Sequence, residues 1–402
     1  MEISGKQIVL GVSGGIAAYK SVELLRLLVK QEAMVRVIMT KNACAFVGPL
    51  TFEALSGERV CTSLFDNRED ASIRHIEWAR EADAVIVAPA TACILGKLAG
   101  GMADDALSTF LLAVTAPRML CPSMNSAMYE HPAVQRNLDI LAKDGYVIVA
   151  PGTGELACGT SGVGRMPEPE IIFDRLCAML SPKDLAGKKV LVTAGPTYEV
   201  IDPVRFISNR SSGKMGYAVA AAAEYRGAQV VLVTGPTNLA PPVNVETVPV
   251  ESADQMAEAV FSRMVDADII VKVAAVGDYR VETIADRKIK KSGQQSLTLA
   301  LKENIDILKE VGARKKANQV VVGFAAETHD LAVNAKAKLA VKKVDLLVAN
   351  PVAGQETAFG AETNHATLFY KDGTEEQLPR MSKAKLAHAI LDRVAKLALE
   401  QS

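Results

Sequence analysis

The chain has 402 residues, of which 49% are apolar and 23% charged, with a formal net charge of −1. This composition excludes a disordered chain and a globally basic nucleic-acid-binding protein, and the length suits two cores. Aromatics, at 5%, are too few for a base-stacking platform, and no apolar run reaches the roughly 18 residues that a membrane span needs.

In chain order, Met1 to Lys6 has no basic n-region or cleavage site, so no signal peptide is expected. Gln7–Val12 reads as a strand that runs into Ser13-Gly14-Gly15-Ile16-Ala17, and Ile16 to Lys30 has helical spacing. Val35–Met39, Ala84–Ala88, Met119–Cys121 and Tyr146–Ala150 read as further strands. Continuous apolar strands alternating with helices predict a parallel sheet covered on both faces. The small residues at 13–17 stand at a strand-to-helix turn, which serves equally as a tight turn or as a phosphate cradle. The segment is neither G-x-G-x-x-G nor a Walker A loop. Residues 152–167 are glycine-rich and read as a lid without secondary structure of its own. Cys44, Cys61, Cys93, Cys121, Cys158 and Cys177 form no C-x-x-C pair, so a zinc site and a disulfide framework are not expected. A reducing, cytoplasmic setting fits that usage.

Around Ser181 the apolar pattern lapses and then restarts. Lys189–Thr193, Gln229–Val233, Asp268–Val273, Gln319–Phe324 and Asp345–Ala349 read as strands, and Gly213–Arg226 as a helix. His365–Tyr370 and Glu375–Leu378 read as a hairpin around Asp372-Gly373, and Ser382 caps a closing helix. The expected fold class is α/β, with two doubly wound, Rossmann-like domains. They span 1–180 and 189–402, with a linker at 181–188.

The ordered set of Ser13-Gly14-Gly15-Ile16-Ala17, His75, Pro89-Ala90-Thr91, residues 122–128 and Cys158 resembles the flavin-containing cysteine decarboxylase family, and phosphopantothenoylcysteine decarboxylase most of all. It covers nearly all of residues 1–175. The resemblance implies a flavodoxin-like domain with FMN held by Ser13, Gly14, Gly15, Ile16, Ala17, Thr40, Pro89, Ala90, Thr91, Ser108 and Thr109. It also implies that His75 assists at the reacting centre, Asn125 holds the substrate carboxylate, Met128 lines the substrate site and Cys158 returns a proton. Asp104 stands beside Asp105 where the family pattern has Asn, and it is expected to lie away from the cofactor phosphate.

The second half, over about 189–370, resembles phosphopantothenate–cysteine ligase in its bacterial form fused to the decarboxylase. That likeness implies a mainly parallel sheet and a nucleoside triphosphate, normally CTP, with Mg²⁺. It places Ala274, Ala275, Asp278, Lys288, Asn304, Asp306, Ile307, Phe324, Lys338 and Lys342 on the nucleotide, and Asn209 on the acyl intermediate or the pantothenate part. Taken locally, Lys288 to Lys291 is a solvated charged turn, and Ser211 or Ser212 is an N-cap. Ile305 and Gly277 depart from the pattern, and Gly277 is expected to loosen the backbone beside Asp278. The implied partners are small molecules and further copies of the chain, trimeric through the first domain and dimeric through the second. Two other classes are an NAD-dependent oxidoreductase and a flavin or nucleotide sensor. The NAD reading lacks both G-x-G-x-x-G and an acidic residue closing the second strand, which ends Met39-Thr40-Lys41.

Overall fold

The computed structural model describes residues 3–64, 74–155, 159, 161–290, 297–327, 331–351 and 363–400. The chain divides into two compact units, one ending at Ser181 and one beginning at Pro182.

The first unit carries a five-stranded parallel sheet of β1 (Gln7–Val12), β2 (Met34–Met39), β3 (Ala84–Ala90), β4 (Arg118–Pro122) and β5 (Tyr146–Ile148). Their order is β2-β1-β3-β4-β5, the flavodoxin-like arrangement. Every residue of β3 is buried, as expected of a central strand covered on both faces. The helices are α1 (Ala18–Lys30), α2 (Pro49–Ser56), α3 (Arg74–Glu81), α4 (Ala92–Ala99), α5 (Ala106–Ala113), α6 (Ser126–Tyr129), α7 (Pro132–Lys143) and α8 (Pro169–Leu180). Leu24, Leu25 and Leu28 recur at helical spacing and bury one side of α1, which packs on α8. Trp78, Leu95, Leu107, Phe110 and Leu138 belong to a separate core cluster with β3 and β4.

The glycine-rich stretch expected to be structureless is an antiparallel ribbon, β6 (Gly152–Glu155) with β7 (Ser161–Arg165). Its glycines serve close approach. A Cβ on Gly164 would stand 2.2 Å from the Met124 carbonyl oxygen, and one on Gly162 would stand 2.3 Å from Ser126 Oγ. The ribbon therefore lies directly against the residues that follow β4.

The second unit contains a sheet in the order β12-β11-β8-β13-β16-β17-β18-β19. In chain order its elements begin with β8 (Lys189–Ala194), β9 (Tyr198–Asp202), β10 (Arg205–Ser208), α9 (Lys214–Tyr225), β11 (Gln229–Thr234), β12 (Glu246–Pro249) and α10 (Ala253–Arg263). There follow β13 (Ile269–Lys272), β14 (Tyr279–Val281), β15 (Leu301–Glu303), α11 (Ile307–Arg314), β16 (Val320–Glu327), α12 (Leu331–Lys342), β17 (Leu346–Pro351), β18 (Thr363–Tyr370), β19 (Glu375–Ser382) and α13 (Lys383–Glu400). Pairing is parallel from β12 through β17 and antiparallel for β18 and β19, the hairpin read around Asp372-Gly373. The chain adds strands on one side of β8 and then returns to add β13 on the other. That reversal is the position at which open α/β sheets bind ligands.

One core cluster joins Val219, Ala223, Leu386, Ile390 and Val394 of α9 and α13 to the sheet, and another joins Met256, Val260, Leu308 and Val311 of α10 and α11. Ser382 Oγ accepts from Lys385 N at 3.2 Å, the cap read from sequence. Arg226, 1% exposed, donates from Nε to Asp184 and from an η nitrogen to Asp392 and the His388 carbonyl, tying the start of the unit to α13. Desolvation works against the guanidinium charge, but the two carboxylates more than offset it.

Candidate active sites

The carboxyl ends of β1, β2, β3 and β4 open on a cavity of about 850 Å³. Ser13, Gly14, Gly15, Ile16 and Ala17 follow β1 and line it, with Thr40 and Asn42 after β2 and Thr91 after β3. Gly14 has no room for a side chain, since a Cβ would meet that of Asn42 at 2.4 Å. Helix α1 begins at the end of this loop without a side-chain cap, although the Ala18 and Lys20 N–H groups donate to the Gly15 and Ala17 carbonyls, both at 3.0 Å. These features fit the phosphate end of a flavin nucleotide.

Pro89, Ala90, Ser108 and Thr109, expected on the cofactor, do not line the cavity. Ser13 Oγ donates to the Pro89 carbonyl at 2.8 Å and accepts from Thr91 N at 3.1 Å, so Pro89 acts by holding Ser13 and Thr91 together. Ala90 is fully buried within β3. Ser108 closes a capping box with Asp105: its N–H donates to Asp105 at 2.8 Å, and its hydroxyl accepts from Asp105 N at 3.1 Å. Thr109 Oγ1 is buried and has no hydrogen-bond partner among the described residues.

Asp104, expected away from the cofactor phosphate, is among the residues that line the cavity. Lys97 explains why this is tolerable. Its Nζ lies 2.6 Å from Asp104 and 2.7 Å from Asp105, and both carboxylates raise the lysine's pKa. Desolvation pushes the Asp105 carboxyl up, yet Lys97 and the Ser108 contacts hold it below its ordinary value.

Asn125 and Met128 line the same cavity. Asn125 Oδ1 accepts from Ala127 N at 2.9 Å and caps α6, fixing the side chain at the cavity wall. His75 lies in α3, and its side chain falls outside the described residues, as does Cys158. Of the remaining cysteines, burial pushes the Cys121 thiol up and Cys177 up to about 11, so both stay protonated.

The second cavity, about 900 Å³, lies at the carboxyl ends of β8, β13 and β16. Ala274, Ala275, Asp278, Asn304, Asp306, Ile307, Phe324, Lys338, Lys342 and Asn209 all line it, as expected. Thr193 Oγ1 accepts from the N–H groups of Val273 and Ala274, both at 3.1 Å, and sets the backbone where it leaves β13. Asn209 Nδ2 donates to the Val276 carbonyl at 2.9 Å and the Ala275 carbonyl at 3.4 Å. Asp306 caps α11 and pairs with Lys342. The N-cap of α9 is Gly213, at φ 75°, in place of the expected Ser211 or Ser212. This helix start also has no side-chain cap and lines the cavity.

Gly277 does not loosen the wall. Its N–H donates to Thr197 Oγ1 at 3.0 Å, and its carbonyl accepts from Asn304 Nδ2 at 2.8 Å. Ile305, the other departure, lines the cavity without displacing the Asp306 cap.

Lys288 is exposed and does not line the cavity. Its neighbour Ile289 donates N–H to Asp202 at 3.1 Å and accepts from Arg205 at 3.0 Å, which holds that segment on β9 and β10. Lys97 and Lys272 are cavity residues that sequence reading missed. The available signal for Lys272 was a charged residue closing an otherwise apolar strand, Ile269-Ile270-Val271-Lys272.

Residues 1–181 match the Flavoprotein family, and residues 185–398 match the DNA/pantothenate metabolism flavoprotein C-terminal domain. The chain is 50% identical over 400 residues to the coenzyme A biosynthesis bifunctional protein CoaBC of Bacillus subtilis (strain 168), covering 98% of each. A crystal structure of the C-terminal domain of a CoaBC protein covers 55% of this chain and 100% of its own, at 41% identity and TM-score 0.47. The FMN-dependent cysteine decarboxylase SpaF covers 44% of this chain and 99% of its own, at 31% identity and TM-score 0.39. With both family matches in tandem and the relative aligned almost end to end, the chain belongs to the family of bifunctional coenzyme A biosynthesis flavoproteins.

Proposed function

We propose that the first unit binds FMN and decarboxylates 4′-phosphopantothenoylcysteine, and that the second makes this compound from 4′-phosphopantothenate, cysteine and CTP. As a member of its family the chain is a bifunctional enzyme of coenzyme A biosynthesis, with decarboxylase and ligase activity. The observation that carries the division of labour is the pair of cavities. Each lies at the carboxyl edge of its own sheet, under a helix start without a side-chain cap.

In the first cavity the flavin would lie against Ser13–Ala17, Thr40 and Thr91. When bound, it supplies a hydride acceptor for the carbon that bears sulfur, which gives the substrate an electron sink for loss of CO₂. Asn125 would hold the departing carboxylate and Met128 the adjoining apolar part. His75 would assist at the reacting centre, and the Cys158 thiol would supply the final proton.

In the second cavity the substrate carboxylate would attack the α-phosphorus of CTP and release pyrophosphate. The cysteine amine would then attack the acyl carbon and displace CMP. Lys338, Lys342 and the start of α9 supply positive potential where phosphoryl charge accumulates. Lys288, exposed outside the cavity of a single chain, gains no support as a phosphate ligand from this geometry. Among the described residues no group of three or more His, Cys, Asp and Glu side chains could hold a metal. Mg²⁺ would therefore enter on the nucleotide phosphates, with Asp278 as the lining carboxylate nearest in role. We assign the enzyme to the cytoplasm, as a homo-oligomer with trimeric contacts in the first unit and dimeric contacts in the second. Among the described residues no helix is long and apolar enough to cross a membrane.

Purified protein given 4′-phosphopantothenate, cysteine, CTP and Mg²⁺ is expected to release pyrophosphate and CO₂ in equal amounts and to show a flavin absorption band. Pyrophosphate without CO₂ from a flavin-loaded sample would sink the decarboxylase half. Separate expression of 1–181 and 182–402 is expected to yield one fragment with the flavin and CO₂ release, and another that forms the amide. Loss of both activities in folded fragments would show that the units depend on each other.

A further inference from the structure

We propose that Lys272 is a further phosphate ligand of the second cavity, joining Lys338 and Lys342 on the anion that reacts there. The proposal rests on the ligase reading of that cavity. Lys272 closes the central strand β13, paired with Thr193 of β8 and Gly323 of β16, so it stands at the reversal of strand order. It lines the cavity, and its Nζ donates to the Ala274 carbonyl at 2.9 Å. An ammonium has three N–H donors, and no other partner is found among the described residues. No carboxylate pairs with it there either.

That arrangement is poor as a structural device. A hydroxyl would satisfy one carbonyl oxygen at lower cost than a half-buried ammonium with no ion-pair partner among the described residues. Desolvation pushes the Lys272 pKa down to about 8; Asp278 raises it, while Lys342 and Lys338 lower it further. Arg210, Lys214, Lys383, Glu303, Asp306 and Tyr279 are the other titratable or charged groups that line the cavity. Lys338 and Lys342 disfavour the Lys272 charge, and an incoming polyanion would complete the site. Binding the anion restores the Lys272 charge, so the site takes up a proton as it fills.

The test is isothermal titration of the full chain with inorganic pyrophosphate and, separately, with CTP, at pH 8 in two buffers of different ionisation enthalpy. Lys272→Met and Lys272→Arg are titrated beside the unaltered protein. With a pKa of about 8, Lys272 is roughly half charged at that pH. Proton uptake on pyrophosphate binding should therefore exceed that of Lys272→Met by up to about half a proton. Lys272→Met should bind pyrophosphate about tenfold to a hundredfold more weakly, the range for losing a charged hydrogen bond. Its melting temperature should be no lower, because it removes a desolvated charge. Lys272→Arg should bind tightly without the extra proton.

Unchanged affinity and unchanged proton uptake in Lys272→Met would overturn the proposal. So would a lowered melting temperature with weak binding in both variants, since that marks a lysine needed for the fold. If pyrophosphate behaves as expected while CTP does not bind, the lysine assignment stands and the nucleotide reading falls.

Discussion

Asn125→Asp is expected to stop CO₂ release while leaving the protein folded and yellow. Asn125 caps α6 through Oδ1, which accepts from Ala127 N, and aspartate caps as well as asparagine. The substitution therefore preserves the helix start and adds one negative charge to the cavity wall. Set about 4 Å from a substrate carboxylate, with an effective dielectric of about 20, that charge costs about 4 kcal/mol, or roughly 10³-fold in rate. The measurement is CO₂ release from 4′-phosphopantothenoylcysteine, with flavin absorbance and circular dichroism as controls. Decarboxylation at the unaltered rate would show that the substrate carboxylate lies elsewhere.

The largest effect on ligation is expected from Asn209→Asp. Asn209 Nδ2 donates to two carbonyls, of Ala275 and Val276, on the backbone that walls the second cavity. A carboxylate cannot donate there; it sets a negative charge against two carbonyl oxygens and against the acyl group. Amide formation should fall about 10²–10³-fold, the range for losing one positioned donor. Attack by cysteine should suffer more than activation, so early quenches should show accumulated acyl-cytidylate by mass spectrometry and little CMP. Asn209→Ala removes the donor without adding charge and should lie between the two. If the aspartate variant forms amide at the unaltered rate, Asn209 serves only the loop.

Most strands set by continuous apolar runs could be read within a residue or two, although the expected Gln319–Phe324 runs on to Glu327. Gln7–Val12 has the same bounds in sequence and structure, and Lys189–Thr193 gains only Ala194. Such runs bury both faces, and no tertiary partner is needed to recognise them. The β6–β7 ribbon could not be read in that way. Its glycines disfavour strands, and the pairing is imposed by packing on Met124 to Ser126. The same holds within the sites. Pro89 and Ser108 stand in family motifs, yet hydrogen bonds to Ser13 and Asp105 turn them into supports for the cavity wall. Lys97 and Lys272 gave little local signal, because a lysine's role depends on which carboxylates and lysines the fold sets around it.

Arg226 ties the first residues of the second unit to its α13 helix. One of its carboxylate partners, Asp184, stands at the start of the unit, and the other, Asp392, stands in the last helix. During synthesis the first unit can complete itself while later residues are still being added. The second cannot, because the apolar side of α9 and half the counter-charge of a buried guanidinium await α13. A chain terminated before Asp392 is left with a finished flavin-binding half and an open second core. The second core therefore closes only once α13 is in place against α9.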